Sequence, residues 1–290
     1  MFLPQAVIQG IEALIQKSTG KADSIQNIRP VGGGDINRAL RLEGKSGSYF
    51  AKMNQAGVYP DMFQVEAAGL RALGSAAPAV IGFGSAGSEA FLVLEWIEPT
   101  QNAITGQENL GRVLASIHQE SADQFGLSYD NYIGTIRQQN TPCDAWADFF
   151  IQNRLQYLLQ IADGKGLVSV ETQRDFERIF RILPTLFEAE RPSLLHGDLW
   201  SGNYLITRQA RPILIDPAVY YGHREMDIAM TTLFGGFEPP FYEAYHEQFP
   251  LAAGWQERTA LWNLYPLLVH VILFGRTYLP KLLTYIKKWT

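Results

Sequence analysis

Late in the chain stands Leu195-His196-Gly197-Asp198-Leu199-Trp200-Ser201-Gly202-Asn203, followed by two short apolar runs. Those runs, Tyr204-Leu205-Ile206 and Pro212-Ile213-Leu214-Ile215, are too short for helices and read as a hairpin. The second run ends in Asp216-Pro217. A hairpin returns its far end to its start, so Asp216 is expected back beside Asp198 and Asn203. An aspartate or asparagine alone in a loop is ordinarily a turn or cap residue. A loop with Asp, four residues and Asn, followed by an apolar hairpin closing on Ile-Asp, is far more specific.

Three oxygen-bearing side chains in this pattern suit phosphoryl transfer. That reaction asks for a carboxylate to orient and deprotonate an attacking hydroxyl, and for oxygen ligands that hold magnesium against nucleotide phosphates. Magnesium takes hard oxygen donors and usually only one or two protein carboxylates. Asp198 fits the base; Asn203 and Asp216 fit the metal ligands.

The rest of the chain divides by texture. Apolar positions Phe2, Leu3, Val7, Ile8, Ile11, Leu14 and Ile15 recur at helical spacing, and Gly20 marks the end of that first helix. With Glu12 and no basic start, the segment is an amphipathic helix and not a signal peptide. Ser24–Val31, Ile36–Leu42, Ser48–Met53, Val80–Phe83 and Ala90–Ile97 read as strands, with a helix ending near Leu73 after the third. Beyond Pro99 the pattern is mainly helical, with Leu110–His118, Ala145–Ile161 and Thr172–Phe187 as the clearest helices. The expected fold is α+β and bilobal: a small antiparallel sheet with a helix over residues 1–97, and a larger, mainly helical lobe over 98–290. A cleft between two such lobes is a favoured place for a ligand.

Here a resemblance enters. His196-Gly197-Asp198 and Asp216-Pro217-Ala218 are similar to the catalytic and metal-binding loops of the protein-kinase-like fold, in its small-molecule branch. Within that branch the chain resembles the fructosamine kinase (ketosamine 3-kinase) family. The residues that carry this are Leu195–Asn203, the run Asp216–Met230, and the later Phe234-Gly235-Gly236-Phe237 and Phe241-Tyr242-Glu243-Ala244-Tyr245. The likeness extends through Phe274-Gly275.

The resemblance implies an enzyme that uses ATP and Mg2+ to phosphorylate O3 of a ketosamine, small or protein-linked, in deglycation; the apolar patterning, with neither a signal peptide nor a membrane span, leads to the expectation of a cytoplasmic protein. It places Lys52 on the nucleotide phosphates with Glu66 as its ion-pair partner, and Gly32, Gly33, Gly34 and Asp35 in a phosphate-covering loop. Glycine lets backbone N–H groups approach a phosphate closely. Glu95, Trp96 and Ile97 would lie along the adenine. Some members carry a cysteine where Asp35 stands, so thiol-based control through this loop has no basis here. Trp200, a bulky ring inside a tight loop, is expected on the substrate side. Kinases of the same fold that act on an aminoglycoside, choline or a homoserine-like hydroxyl share the Asp-to-Asn spacing, and the run Asp216–Met230 is what favours ketosamines over them. A nucleotide-binding scaffold without turnover is the distant alternative, and it would have no need of the base.

Composition removes other classes. A net charge of -5 gives no electrostatic footprint for nucleic acid. The longest apolar run, Leu264–Phe274, is too short to span a bilayer and contains His270. The single cysteine, Cys143, permits neither an intrachain disulfide nor a multi-cysteine metal site. His118, His246 and His270 stand singly in helical segments and read as structural. Asp227 reads as a buried residue that hydrogen-bonds the Asp198 loop. The sequence is silent on oligomeric state.

Overall fold

The computed structural model describes residues 3–32, 37–100 and 106–290. They form two compact units: residues up to 103 joined by Tyr204–Pro217, and residues 104–203 joined by Ala218–Thr290. The hairpin 204–217 therefore groups with the strand-rich part of the chain, although it lies in the middle of the helical part of the sequence.

In the first unit, helix α1 (Gln5–Thr19) buries Val7, Ile11 and Ile15 along one stripe and closes on Gly20, whose N–H caps the carbonyl of Gln16. That stripe packs on a five-stranded antiparallel sheet of order β1-β2-β3-β5-β4. The strands are β1 (Ile25–Pro30), β2 (Arg38–Gly44), β3 (Ser48–Gln55), β4 (Val80–Ala86) and β5 (Glu89–Glu95). Helix α2 (Met62–Ala72) lies between β3 and β4 in the chain. Alternation along β3 decides what each face does. Tyr49, Ala51 and Met53 join the apolar cluster with α1, Leu40, Leu42, Phe91 and Val93. Lys52 points the other way, toward α2.

The two-stranded hairpin pairs Tyr204–Ile206 with Pro212–Leu214. It is tied to the sheet-bearing part of its unit at three places. Thr100 N–H donates to the carbonyl of Ile206 at 2.7 Å, Pro99 bridges Thr207, and the Arg211 guanidinium donates to the carbonyl of Ser75 at 2.8 Å.

The second unit is helical around one large apolar core. Helix α3 (Gln107–Gln119) packs on the helix Pro239–Gln248. The helix Leu264–Phe274 is apolar on nearly every side because it is buried by its neighbours, including Trp262, Phe150 and Leu282. The helix expected over 145–161 is present but has a π-helical middle, Phe150–Gln156. There the buried Arg154 turns inward and donates to the carbonyl of Gln139 and to Asn140 Oδ1. Two small ladders add to the expected strands: Asn131–Ile133 with Ile136–Gln138, and Ser193–Leu195 with Tyr220–Gly222. The last of these brackets the Asp198 loop and its return segment. No helix among the described residues is long and apolar enough to cross a membrane.

Candidate active site

In the first unit, Lys52 is the centre of a three-residue charge cluster. Its ammonium is 2.6 Å from Glu66 Oε1 and 2.6 Å from Asp216 Oδ1. Strand alternation turns the lysine toward α2, and α2 presents Glu66 on its facing side. Asp216 follows the second hairpin strand in the left-handed region, at φ 56°. A non-glycine residue there is uncommon and carries some backbone strain. Here the turn directs the carboxylate to Lys52. Lys52 is 7% exposed, and burial works against its charge. The carboxylates of Asp216 and Glu66 outweigh that penalty and hold the ammonium well above its ordinary pKa. Burial pushes the Glu66 carboxyl upward, opposed by Lys52. Lys52 is charged and meets both carboxylates at the same distance, but Asp216 keeps 40% of its side chain in solvent and Glu66 only 12%.

The other sequence-derived residues of this unit are less organised. Gly32 is an exposed bend just beyond Val31, whose N–H pairs with Ala39. Gly33, Gly34 and Asp35 lie outside the described residues. Glu95 ends β5, donating from its N–H to the carbonyl of Ala79 and accepting the Ala79 N–H on its carboxylate. Trp96 donates to Glu98 and lies under the Arg41 guanidinium, 4.4 Å from the ring centre. Ile97 is half-buried in the extended connector that follows.

In the second unit, Asp198 and Asn203 are joined directly. Asn203 Nδ2 donates to the Asp198 carbonyl at 2.8 Å and to Asp198 Oδ2 at 3.0 Å. The amide nitrogen is thereby committed, which leaves Oδ1 as the asparagine's acceptor atom. The loop conformation depends on glycine at two points. At Gly197, φ is 83° and a Cβ would meet the carbonyl oxygen of Ala218 at 2.1 Å. At Gly202, a Cβ would meet the Trp200 ring at 2.3 Å, so the indole can lie flat against the backbone only over a glycine.

Beneath the loop sits Asp227, 1% exposed, near the start of the helix Glu225–Phe234. Its Oδ2 accepts the His196 N–H at 2.7 Å and its Oδ1 the Gly197 N–H at 2.9 Å. His118, from α3, reaches Oδ2 with Nε2 at 3.1 Å, while its Nδ1 is 2.8 Å from the Tyr245 hydroxyl. A carboxylate only accepts, so Nε2 carries the proton and Nδ1 accepts from Tyr245. Burial alone would raise the Asp227 carboxyl; the donors from His118 and Gly197, with the nearby His196, outweigh it and hold it below the usual carboxylate range. Burial pushes the Tyr245 phenol up, so it remains a donor. Around this point Arg224 forks onto Glu190 at 2.7 and 2.9 Å, and Arg258 onto Glu225 at 2.6 and 2.8 Å. His223–Asp227 is thus the buried footing of the loop.

The sequence reading of Asp227 as a loop-holding residue matches this geometry, and so does the Lys52–Glu66 pair. His118 reads as structural, and it is; what the sequence did not yield is its partner. The histidine is 109 residues from Asp227, and a single histidine on an apolar helical face carries no local signal of its partner.

A strand lysine paired with a helical glutamate, a hairpin ending in a left-handed aspartate, and a glycine-dependent Asp–Asn loop on an α+β scaffold define a small-molecule phosphotransferase of the protein-kinase-like fold. The chain belongs to the fructosamine kinase family, whose profile matches residues 7–290. A probable ketoamine kinase of Lactiplantibacillus plantarum is 41% identical over 260 residues, covering 88% of this chain and 91% of that protein. The chloroplastic protein-ribulosamine 3-kinase of Arabidopsis thaliana is 37% identical over 268 residues, covering 89% and 81%. Among solved structures, a candidate fructosamine-3-kinase from Thermobifida fusca superposes with a TM-score of 0.87 at 32% identity, covering 97% of this chain and 98% of its own.

Proposed function

We propose that this protein transfers the γ-phosphoryl group of ATP to the 3-hydroxyl of a ketosamine, the adduct of a reducing sugar with an amine. The observation that carries the reading is the bonded pair Asp198–Asn203, in a chain whose relatives include a ribulosamine 3-kinase. Asp198 accepts the hydroxyl proton as O3 attacks the γ-phosphorus. The bond from Asn203 fixes the carboxylate for that role. Lys52 binds the nucleotide phosphates, held by Glu66. The backbone at Glu95 and Ile97 borders the adenine, and Gly32 begins the loop that covers the phosphates.

The donors suit magnesium: the Asn203 amide oxygen and the Asp216 carboxylate are hard oxygens. Among the described residues no three His, Cys, Asp or Glu side chains group into a metal cage, so the remaining ligands would be phosphate and water oxygens. When bound, magnesium neutralises charge developing on the phosphoryl oxygens. The protein's own share is to hold the attacking hydroxyl and its proton acceptor in place.

Phosphate at O3 gives the adduct a leaving group beside its C2 carbonyl. Enolisation toward C1 expels phosphate from C3, and water then releases the amine. That sequence undoes glycation and gives the activity a repair role.

The test is ATP consumption with ribuloselysine, fructoselysine, erythruloselysine, an aminoglycoside and choline, each with Mg2+. Turnover of a ketosamine with phosphate appearing on O3 is expected. Turnover confined to the aminoglycoside or choline would overturn the assignment. Asp198→Asn should lower kcat on the order of 10²–10⁴-fold while nucleotide binding persists; an unchanged rate would remove Asp198 from its role.

A further inference from the structure

Six large apolar side chains are exposed among the described residues, and the three aromatic ones, Trp200, Phe234 and Phe274, fall in one patch. Scattered exposed apolar residues need no explanation, whereas a contiguous group marks a binding surface. The patch begins in the Asp198 loop. The Trp200 indole, laid over Gly202, meets the edge of Phe234 with ring centres 6.3 Å apart. Phe234 is 4.9 Å from His270, which is 4.8 Å from Tyr278 and 5.5 Å from Phe274. These residues come from the end of the helix Glu225–Phe234, the helix Leu264–Phe274 and the turn after it. Their own packing does not require the rings to stay in water.

The chemistry around the patch restricts what can lie on it. From Thr259 to Thr290 the chain has no Asp or Glu and carries Arg276, Lys281, Lys287 and Lys288. The Lys281 ammonium already occupies one approach, 5.7 Å from the Phe234 ring centre, while donating to the carbonyl of Leu233 at 2.7 Å. His270 donates from Nδ1 to the carbonyl of Pro266 at 2.7 Å, which leaves Nε2 an acceptor. Burial and the charge of Lys281 keep this imidazole neutral, its pKa below the ordinary value. Aromatic faces, one acceptor and a fixed cation, on a segment that itself carries no Asp or Glu, favour an apolar group and disfavour a second cation.

We propose that Trp200, Phe234, His270, Phe274 and Tyr278 form the subsite for the amine-side substituent of the ketosamine, and that it selects an apolar substituent over a small or cationic one. This rests on the ketosamine reading above. The sugar hydroxyl must reach Asp198, and the nitrogen substituent then extends past Trp200, two residues along the same loop. The patch sets which amine is accepted, and the Asp198 loop carries out the transfer.

Adducts of one sugar with phenylalanine, glycine and arginine separate the two ideas. The phenylalanine adduct should exceed the glycine adduct in kcat/KM by about tenfold, the scale on which an apolar surface discriminates side chains, and should also exceed the arginine adduct. Phe274→Ala should bring the phenylalanine-to-glycine ratio to within about threefold, with the melting temperature followed to exclude misfolding. Phe274→Asp, which places a carboxylate in the patch, should shift the preference toward the arginine adduct; a loss of packing alone would not do so. Val170→Ala, at an exposed apolar residue outside the patch, should leave the ratio as in the parent protein. Equal kcat/KM for all three adducts, or ratios that Phe274→Ala and Phe274→Asp leave unchanged, would overturn the subsite while leaving ketosamine phosphorylation intact. Absence of turnover with every ketosamine would overturn both.

Discussion

Asp216 and Asp227 are both aspartates at the centre of a polar cluster, and they are held in opposite ways. Asp227 is 1% exposed and takes N–H groups on both oxygens, from His196, Gly197 and His118. Its acceptor capacity is used inside the protein. Asp216 keeps 40% of its side chain in solvent, sits in a left-handed turn and meets the Lys52 ammonium. A carboxylate satisfied by fixed donors belongs to the framework. One that keeps 40% of its side chain in solvent leaves acceptor capacity open to a ligand. A residue that holds a loop thus differs in burial and partners from the one proposed to bind metal.

Substitution should show the separation. Asp216→Ala is expected to lower kcat on the order of 10²–10³-fold, the usual cost of removing one group that stabilises transition-state charge. Because Glu66 still pairs Lys52, the melting temperature should stay within a few degrees. A large fall in stability would place Asp216 with the framework. Asp227→Asn should do the reverse in stability. The new amide must point an N–H at one of the donors beneath the loop, at a cost of about 3 kcal/mol, as expected when a buried charge network loses a member. Chemical denaturation measures this directly. Activity should fall as well, since the Asp198 loop loses its anchor.

The pH dependence of stability sharpens the contrast. Asp227 titrates below its ordinary value in the folded chain, so it binds its proton less readily than in the unfolded chain, where the pKa is about 3.9. Its contribution is complete above that unfolded value and is lost as pH falls through the lower, folded pKa. The parent protein should therefore lose stability on acidification below about pH 4, and Asp227→Asn should lack that part of the acid limb. Denaturation curves at stepped pH for the two proteins test it; parallel curves would remove the carboxylate from the linkage.

How much of this was legible in the sequence follows from the range of the interactions. The strands, α1 with its Gly20 stop, and the 204–214 hairpin are local patterns of alternation, helical spacing and glycine, and their positions agree with the structure to within a few residues. Lys52 and Glu66 were readable because a strand lysine and a helical glutamate fourteen residues apart form a familiar motif. The hairpin's membership of the first unit was not, because it rests on Thr100, Pro99 and Ser75, none of them near it in the chain. The exposed aromatic patch was also hidden. Trp200 was expected on the substrate side, but Phe234 stood out only within Phe234-Gly235-Gly236-Phe237 and His270 read as structural; only packing decides which rings remain at the surface.

His118 should produce the smallest effect of the buried cluster. It is a histidine with no motif, and the structure makes it a bridge: Nε2–H to Asp227 and Nδ1 from Tyr245. If Asp227 belongs to the framework, its buried donors should matter one at a time. His118→Phe keeps an aromatic ring of similar size and removes both bonds, leaving the Tyr245 hydroxyl buried without that partner and Asp227 with two backbone donors. The expected loss is about 1–3 kcal/mol, the cost of unsatisfied buried polar groups. His118→Gln supplies an amide donor and a carbonyl acceptor and should recover more than half of that loss. kcat should follow the same order, His118→Phe below His118→Gln, with KM for ATP unchanged in both, since the histidine bonds Asp227 and Tyr245 and not, among the described residues, the ones proposed to hold the nucleotide. Equal stability for the two variants would mean that ring volume, and not the bond to Asp227, is what α3 contributes.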